Sequence, residues 1–277
     1  MTDSGIDQKE SKNDNIYKAI YDYWDTHTLG MQYISNTDVK VGSLEFFEHI
    51  RPWMNPYKFP WIMDRIETEA DILKGKHLLE IGCGMGFDSL EFLRRGVKVT
   101  ATDLTANAVR MTKRHFELMG VNAQDIRVET VLDLKFSDET FDAVWANGVV
   151  HATGDTPKAI REIRRVLKNG GRAIISHFYR KPSWMYALKQ IPGVNIEFDE
   201  EDPPVNDFLT EQEVEDMFKG FRIVETKREH YRLLPVCRSG LKAMLYNSIL
   251  KPVYNSIPEK MAQKFAYKYS VTAIKTS

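Results

Sequence analysis

Residues His77 to Asp88 read H-L-L-E-I-G-C-G-M-G-F-D. An apolar run, Leu78, Leu79 and Ile81, carries the acidic Glu80 near its end. It then breaks into Gly82, Cys83, Gly84, Met85 and Gly86 and resumes at Phe87. A buried strand that turns through glycines into a helix has this pattern. Glycines at alternate positions open backbone conformations closed to residues with a β-carbon. They also let main-chain N–H groups approach a ligand at a helix N-terminus. The stretch therefore reads as a nucleotide-type cofactor loop. A tight strand–helix turn with no ligand is the plain alternative.

The spacing discriminates between cofactors. A dinucleotide loop is G-x-G-x-x-G and needs its third glycine for helix–strand packing. Here Gly82, Gly84 and Gly86 give G-x-G-x-G, with Glu80 two residues before the first. About 20 residues further on, Val97–Thr102 is a second apolar run that ends on Asp103, and an acid at that distance can accept the hydroxyls of a ribose.

Composition narrows the class. The chain has 277 residues, 43% hydrophobic and 28% charged, as in a globular protein. A net charge of −1 gives no electrostatic footprint for nucleic acid. Two cysteines, Cys83 and Cys237, form no disulfide framework, which fits a reducing cytoplasm. His and acidic residues show no metal-ligand spacing.

Along the chain, residues 1–14 are polar and expected to be disordered. Residues 15–74 are expected to form an N-terminal helical cap. It has a helix over about 16–25, a second from Ser43 to Pro52, and a third opened by Pro60 and ending near Gly75. Tyr17, Tyr21 and Trp24 are candidates for a lid, since aromatic faces attract cations and a sulfonium is one. From 75 onward, strand and helix alternate. Thr105 caps a helix stopped by Gly120, Ile126 and Val128 mark a third strand, and Phe141–Ala146 a fourth. Pro157 opens a helix that Asn169-Gly170-Gly171 ends before a fifth strand, Arg172–Ser176. Such alternation implies a parallel sheet with helices on both faces, binding ligands at the carboxyl ends of the strands.

The set L-L-E-I-G-C-G-M-G, V-T-A-T-D, L-D-L-K-F-S-D-E-T-F-D-A-V-W-A-N-G-V-V-H and R-V-L-K-N-G-G resembles the class I S-adenosylmethionine (SAM)-dependent methyltransferases, over roughly Gly75 to Ser176. The resemblance implies a Rossmann-like α/β fold with a seven-stranded, mostly parallel sheet. Its last strand would be inserted antiparallel, with strands six and seven at Phe221–Glu225 and Tyr269–Ile274. It also implies SAM as cofactor. Glu80, Gly82, Gly84 and Gly86 would shape the pocket for the amino-acid end of SAM. Asp103 would hold the ribose with Leu104 beside the adenine, Asp133 and Leu134 would meet the adenine, and Asn147 and Gly148 would line the methionine side. Many relatives carry paired histidines after the fourth strand, whereas this chain reads Val149-Val150-His151-Ala152-Thr153.

Methyl transfer chiefly needs alignment of acceptor and methyl group, plus a base where the acceptor must lose a proton. His151, just past the fourth strand, is the first candidate base, and a packed structural histidine is its alternative. His177 and Tyr179, after the fifth strand, follow. The expected function is methyl transfer to a small molecule at O or N, with C open. The rivals are a SAM-binding regulator without transfer activity and a nicotinamide oxidoreductase.

Two substrate-side insertions are expected, about 180–210 and 230–266. Residues 197–216 hold ten acids and no Lys or Arg, read as a solvated face, and Thr210-x-x-Glu213 is a capping box. In the second insertion Leu241, Met244, Leu245, Ser248 and Ile249 make a helical stripe. It is expected to pack as a cover between the last two strands, with contact to a membrane surface as the alternative.

Overall fold

The structure, a computed structural model, describes residues 4–28, 31, 34, 37–54, 61–183, 186–187, 203–229 and 244–277. Strands β1 (His77–Ile81), β2 (Lys98–Asp103), β3 (Asp125–Val128), β4 (Phe141–Asn147) and β5 (Leu167–Arg180) are parallel. β7 (Phe221–Glu229) and β8 (Lys268–Lys275) complete a path β3-β2-β1-β4-β5-β8-β7, in which β8 runs antiparallel to both neighbours. This is the expected seven-stranded doubly wound sheet. An eighth strand, β6 (Phe208–Leu209), was not expected. It pairs in parallel with Tyr179 and Arg180, where β5 has outrun β4.

Period-two burial sorts the strands onto two faces. Leu79 and Ile81 join Val144, Ala146 and helix α6 (Thr156–Val166) through Ile160 and Ile163. Leu78 joins Ala143, Trp145, Phe92 of α4 (Phe87–Arg94) and Ile62 and Ile66 of α3 (Ile62–Leu73). Each fully buried large side chain contributes about 1.5–3 kcal/mol. Because α3 shares this core with β1 and β2, a boundary at residue 74 divides one packed unit.

Several elements differ from the sequence reading. Helix α1 spans Ser4–Thr26, so residues 4–14 are helical rather than disordered. Gln8, Lys9, Glu10 and Lys12 there are straight-chain helix formers. Asn169-Gly170-Gly171 does not end α6. The helix stops at Val166, and the glycine pair lies inside β5 at a register shift opposite Phe141 and Ala143. Helix α2 (Leu44–Pro52) has Ser43 as N-cap, α5 (Ala106–Met119) has Thr105, and α7 (Glu211–Met217) has the Thr210/Glu213 capping box, all as read. Pro60, the acidic residues 197–202, Leu241 and Cys237 lie outside the described residues.

Candidate cofactor and active site

The glycine loop joins β1 to α4 at the carboxyl edge of the sheet. Gly82, Gly84 and Gly86 all take positive φ, at 74°, 55° and 75°. Their surroundings differ. A β-carbon on Gly82 would lie 2.2 Å from Val149 Cγ2, and one on Gly86 would lie 2.8 Å from both Phe116 and Thr112. One on Gly84 would meet nothing within 4 Å. The outer glycines thus let the loop pack against the end of β4 and against α5, while the middle one faces open space. Gly82 and Cys83 donate to the Thr102 carbonyl, which ties the loop to β2.

Acidic groups surround the loop. Asp103 accepts from Gly84 N at 3.0 Å and from the Thr105 amide and hydroxyl at 3.0 and 3.1 Å. Burial raises its pKa against these hydrogen bonds. A carboxylate offers about four acceptor positions, so Oδ2, with one donor, keeps capacity for a ligand hydroxyl. Glu80 is buried and accepts from Ser89 in the first turn of α4. Burial, then the Asp88 charge, pushes its pKa up to about 8, so it is largely protonated at neutral pH. Asp88, also in that first turn, accepts from Trp145 Nε1 and Asn147 Nδ2, both at 2.9 Å. Asn147 Oδ1 is buried without a hydrogen-bond partner and needs a donor. A carboxylate at the α4 N-terminus opposes a pyrophosphate, which dinucleotide loops place there. An ammonium and sulfonium suit it. Open space at Gly84, an unsatisfied acceptor at Asn147 and local negative charge together fit SAM.

The other expected positions divide into two groups. Gly148, at φ 79°, and half-buried Leu104 lie at the ends of β4 and β2, near the loop. Leu134 is buried in the core, its amide bonded to Glu162. Asp133 is exposed and paired with Lys135, whose hydrogen bond lowers its pKa. On α1, Tyr17 is 39% exposed, and Tyr21 and Trp24 are half-buried. The helix touches both α5 and the turn at Gly154. Asp25 accepts from the Asn107 amide of α5, and a β-carbon on Gly154 would lie 3.7 Å from Ile16 and 3.8 Å from Ile20.

Both histidines are buried, His151 past the end of β4 and His177 within β5. His151 sits in a single 3-10 turn, Val150–Ala152, with its ring 4.3 Å from Tyr179. Burial, then the Lys268 charge, pushes its pKa down to about 3, so the ring is neutral. Its Nδ1 has no hydrogen-bond partner. His177 lies at a bulge in β5 with φ 71°, a left-handed conformation that is costly outside glycine. Its Nδ1 is 3.3 Å from where a Gly148 β-carbon would sit, and its Nε2 is 3.7 Å from Glu229 Oε2.

Glu229 belongs to a cluster that sequence reasoning missed. Arg65 of α3 donates from one nitrogen to Glu229 at 2.6 Å and to Ser176 at 2.9 Å. Burial raises the Glu229 pKa, and Arg65 opposes that rise. Residues 65 and 229 carry no local signal, because the fold alone joins them. Asp88 did carry one, as an acid in the first turn of the helix after a glycine loop. Among the described residues no group of three or more His, Cys, Asp or Glu could hold a metal ion.

A family model described as "Methyltransferase domain" matches residues 79–175. Over these residues the chain is similar to methyltransferase domains. The match covers the glycine loop, Asp103, Asn147 and β5 up to Ile175. Outside these residues the likeness thins. A ubiquinone biosynthesis O-methyltransferase of Xanthomonas euvesicatoria is 32% identical over 131 residues, 47% of this chain and 52% of that protein. A demethylmenaquinone methyltransferase of Streptomyces avermitilis is 32% identical over 137 residues, 47% and 57%. The aligned part is thus about half the length of each relative. The [4+2]-cyclase SpnF superposes with a TM-score of 0.59 over 93% of this chain and 95% of its own, at 16% identity. A SAM-dependent methyltransferase of Aquifex aeolicus gives 0.50 over 77% and 89%, at 17%. These two show the fold alone.

Proposed function

We propose that this protein transfers the methyl group of SAM to a small molecule, with a hydroxyl of a quinol-type ring as the first acceptor to test. The observation that carries the reading is the loop itself. Its outer glycines are wedged into the protein, its middle glycine borders open space, and Asn147 Oδ1 waits beside it for a donor. The names of the quinone-pathway relatives support the acceptor class.

SAM, when bound, supplies an already activated methyl group, so the protein's work is alignment and proton removal. Asn147 and Asp88 receive the cationic amino-acid end, and Asp103 accepts from the ribose. Leu104, Asp133 and Leu134 remain the proposed adenine neighbours. Helix α1 acts as the lid, bringing Tyr17, Tyr21 and Trp24 over the cleft between α5 and Gly154.

We assign proton removal to His177 rather than His151. An imidazole held near pKa 3 is a weak base at neutral pH. His151 instead forms a wall with Tyr179. His177 combines a strained backbone, an Nδ1 beside Gly148 and a carboxylate near Nε2 that stabilises the imidazolium. Arg65 fixes that carboxylate.

Incubation with methyl-labelled SAM and a quinol or metabolite extract is expected to label a small organic-soluble product. Label in no product, or only in precipitated protein, overturns the proposal. His177→Ala should lower turnover at least about tenfold while SAM affinity stays within about twofold. A near-normal rate removes His177 as base.

A further inference from the structure

The segment between β7 and β8 has its amphipathicity reversed. Met244, Leu245, Ile249, Leu250, Val253 and Met261 are between 47% and 60% exposed. The half-buried positions between residues 244 and 261 are Tyr246, Asn247, Lys251, Tyr254, Asn255 and Ile257, mostly polar. A surface helix normally buries its apolar stripe and exposes its polar one. The expected inward packing of Met244, Leu245 and Ile249 is therefore not what the structure shows. A contiguous apolar face of this kind marks a contact with something apolar outside the molecule.

Charge selects the occupant. Between residues 244 and 264 the charged residues are Lys251, Lys260 and Lys264 against the single acid Glu259, in a chain of net charge −1. Lys260 and Lys264 are exposed and Lys251 is half-buried, so cations flank the apolar face. Exposed apolar side chains with lysines in the same stretch match a bilayer surface with anionic headgroups, where burial of the first and attraction of the second act together.

The position gives this surface a use. β7 ends at Glu229, which pairs with Lys268 at the start of β8, and Lys268 pairs in turn with Tyr179 of β5. The segment thus leaves and re-enters the sheet beside His177 and Tyr179, at its carboxyl edge. Tyr267 closes the segment 5.6 Å from the Tyr179 ring. We propose that residues 244–261 seat the protein on an anionic lipid bilayer, with the acceptor side of the site next to the membrane, so that the acceptor is drawn from the lipid phase. The docking stands by itself, whereas the acceptor's origin rests on the methyl-transfer reading.

Flotation with phosphatidylcholine vesicles, with and without phosphatidylglycerol, tests it on the full chain. The wild-type protein should float with the anionic vesicles, and less so at high salt. Ile249→Glu with Val253→Glu, both at exposed positions, should cut partitioning by about tenfold. A thermal melt and titration with S-adenosylhomocysteine confirm that the variant is folded. Wild-type protein that stays in solution overturns the proposal, as does a double variant that floats equally well. A soluble dimer that the double variant splits into monomers also overturns it, since the face then covers a second copy. Lost flotation with intact cofactor binding leaves methyl transfer standing. Intact flotation without cofactor binding sinks methyl transfer alone.

Discussion

At the scale of single residues, Asp103 is a half-buried acid and Glu80 a buried one, and they serve different ends. Asp103 ties Gly84 to Thr105 and keeps capacity on Oδ2. Asp103→Ala removes the acceptor for a ribose and leaves the Gly84 amide unpaired. SAM binding should weaken by about 1–3 kcal/mol in a calorimetric titration, and unchanged affinity would take Asp103 out of the site. Glu80 sits against Ser89, with its pKa near 8 in place of the ordinary 4.5. The contribution of such a raised group is fully present below about pH 4.5 and is lost as pH rises through about 8. Glu80→Gln keeps an acceptor for Ser89 and does not titrate. The variant's Tm should therefore gain on the wild type between pH 5 and pH 8.5, and parallel Tm curves would show that Glu80 ionises normally. Glu80 and Asp103 are legible in sequence as candidates, because each lies at or near the end of an apolar run at a set distance from the loop. That Glu80 is held mostly neutral is not, because its pKa depends on Asp88 and on burial.

At the scale of elements, the strand–loop–helix unit divides its labour among three glycines. Gly86→Ala, with a clash at 2.8 Å and φ 75°, should destabilise the fold by about 1–3 kcal/mol in urea. Gly84→Ala has no steric neighbour and should cost only the left-handed penalty of about 1–2 kcal/mol. It should nevertheless lower SAM affinity by about tenfold or more, because its β-carbon enters the cofactor space. Equal effects of the two variants on stability and binding would contradict this division. The unit was readable because strand, turn and helix signals are local and contiguous. Caps at Thr105, Ser43 and Thr210 were readable for the same reason. β6 was not, since two residues carry no periodicity and pair only because β5 outruns β4. The course of β5 through Gly170 and Gly171 was also hidden, because a glycine pair after a helix looks the same whether it stops the helix or kinks a strand.

At the scale of the whole molecule, α3 is clamped to the site by Arg65, whose partners Ser176 and Glu229 lie 111 and 164 residues away. Arg65→Leu leaves a buried carboxylate without its cation and should cost about 3–5 kcal/mol in denaturant unfolding. Adding Glu229→Gln should restore part of that loss, and no restoration would mean that Arg65 acts through packing alone. Such pairings are invisible to any local reading, so the sequence pointed to a candidate cofactor edge but not to the carboxylate behind His177. The alternation of strands and helices did reveal the parallel sheet, and the family resemblance supplied the antiparallel strand inserted beside β5. The measurement that bears most directly on the whole account is a calorimetric titration of the folded protein with S-adenosylhomocysteine, run beside NAD. The account predicts saturable heat at one site per chain with the first and none with the second. Heat with NAD alone, or with neither, would contradict it.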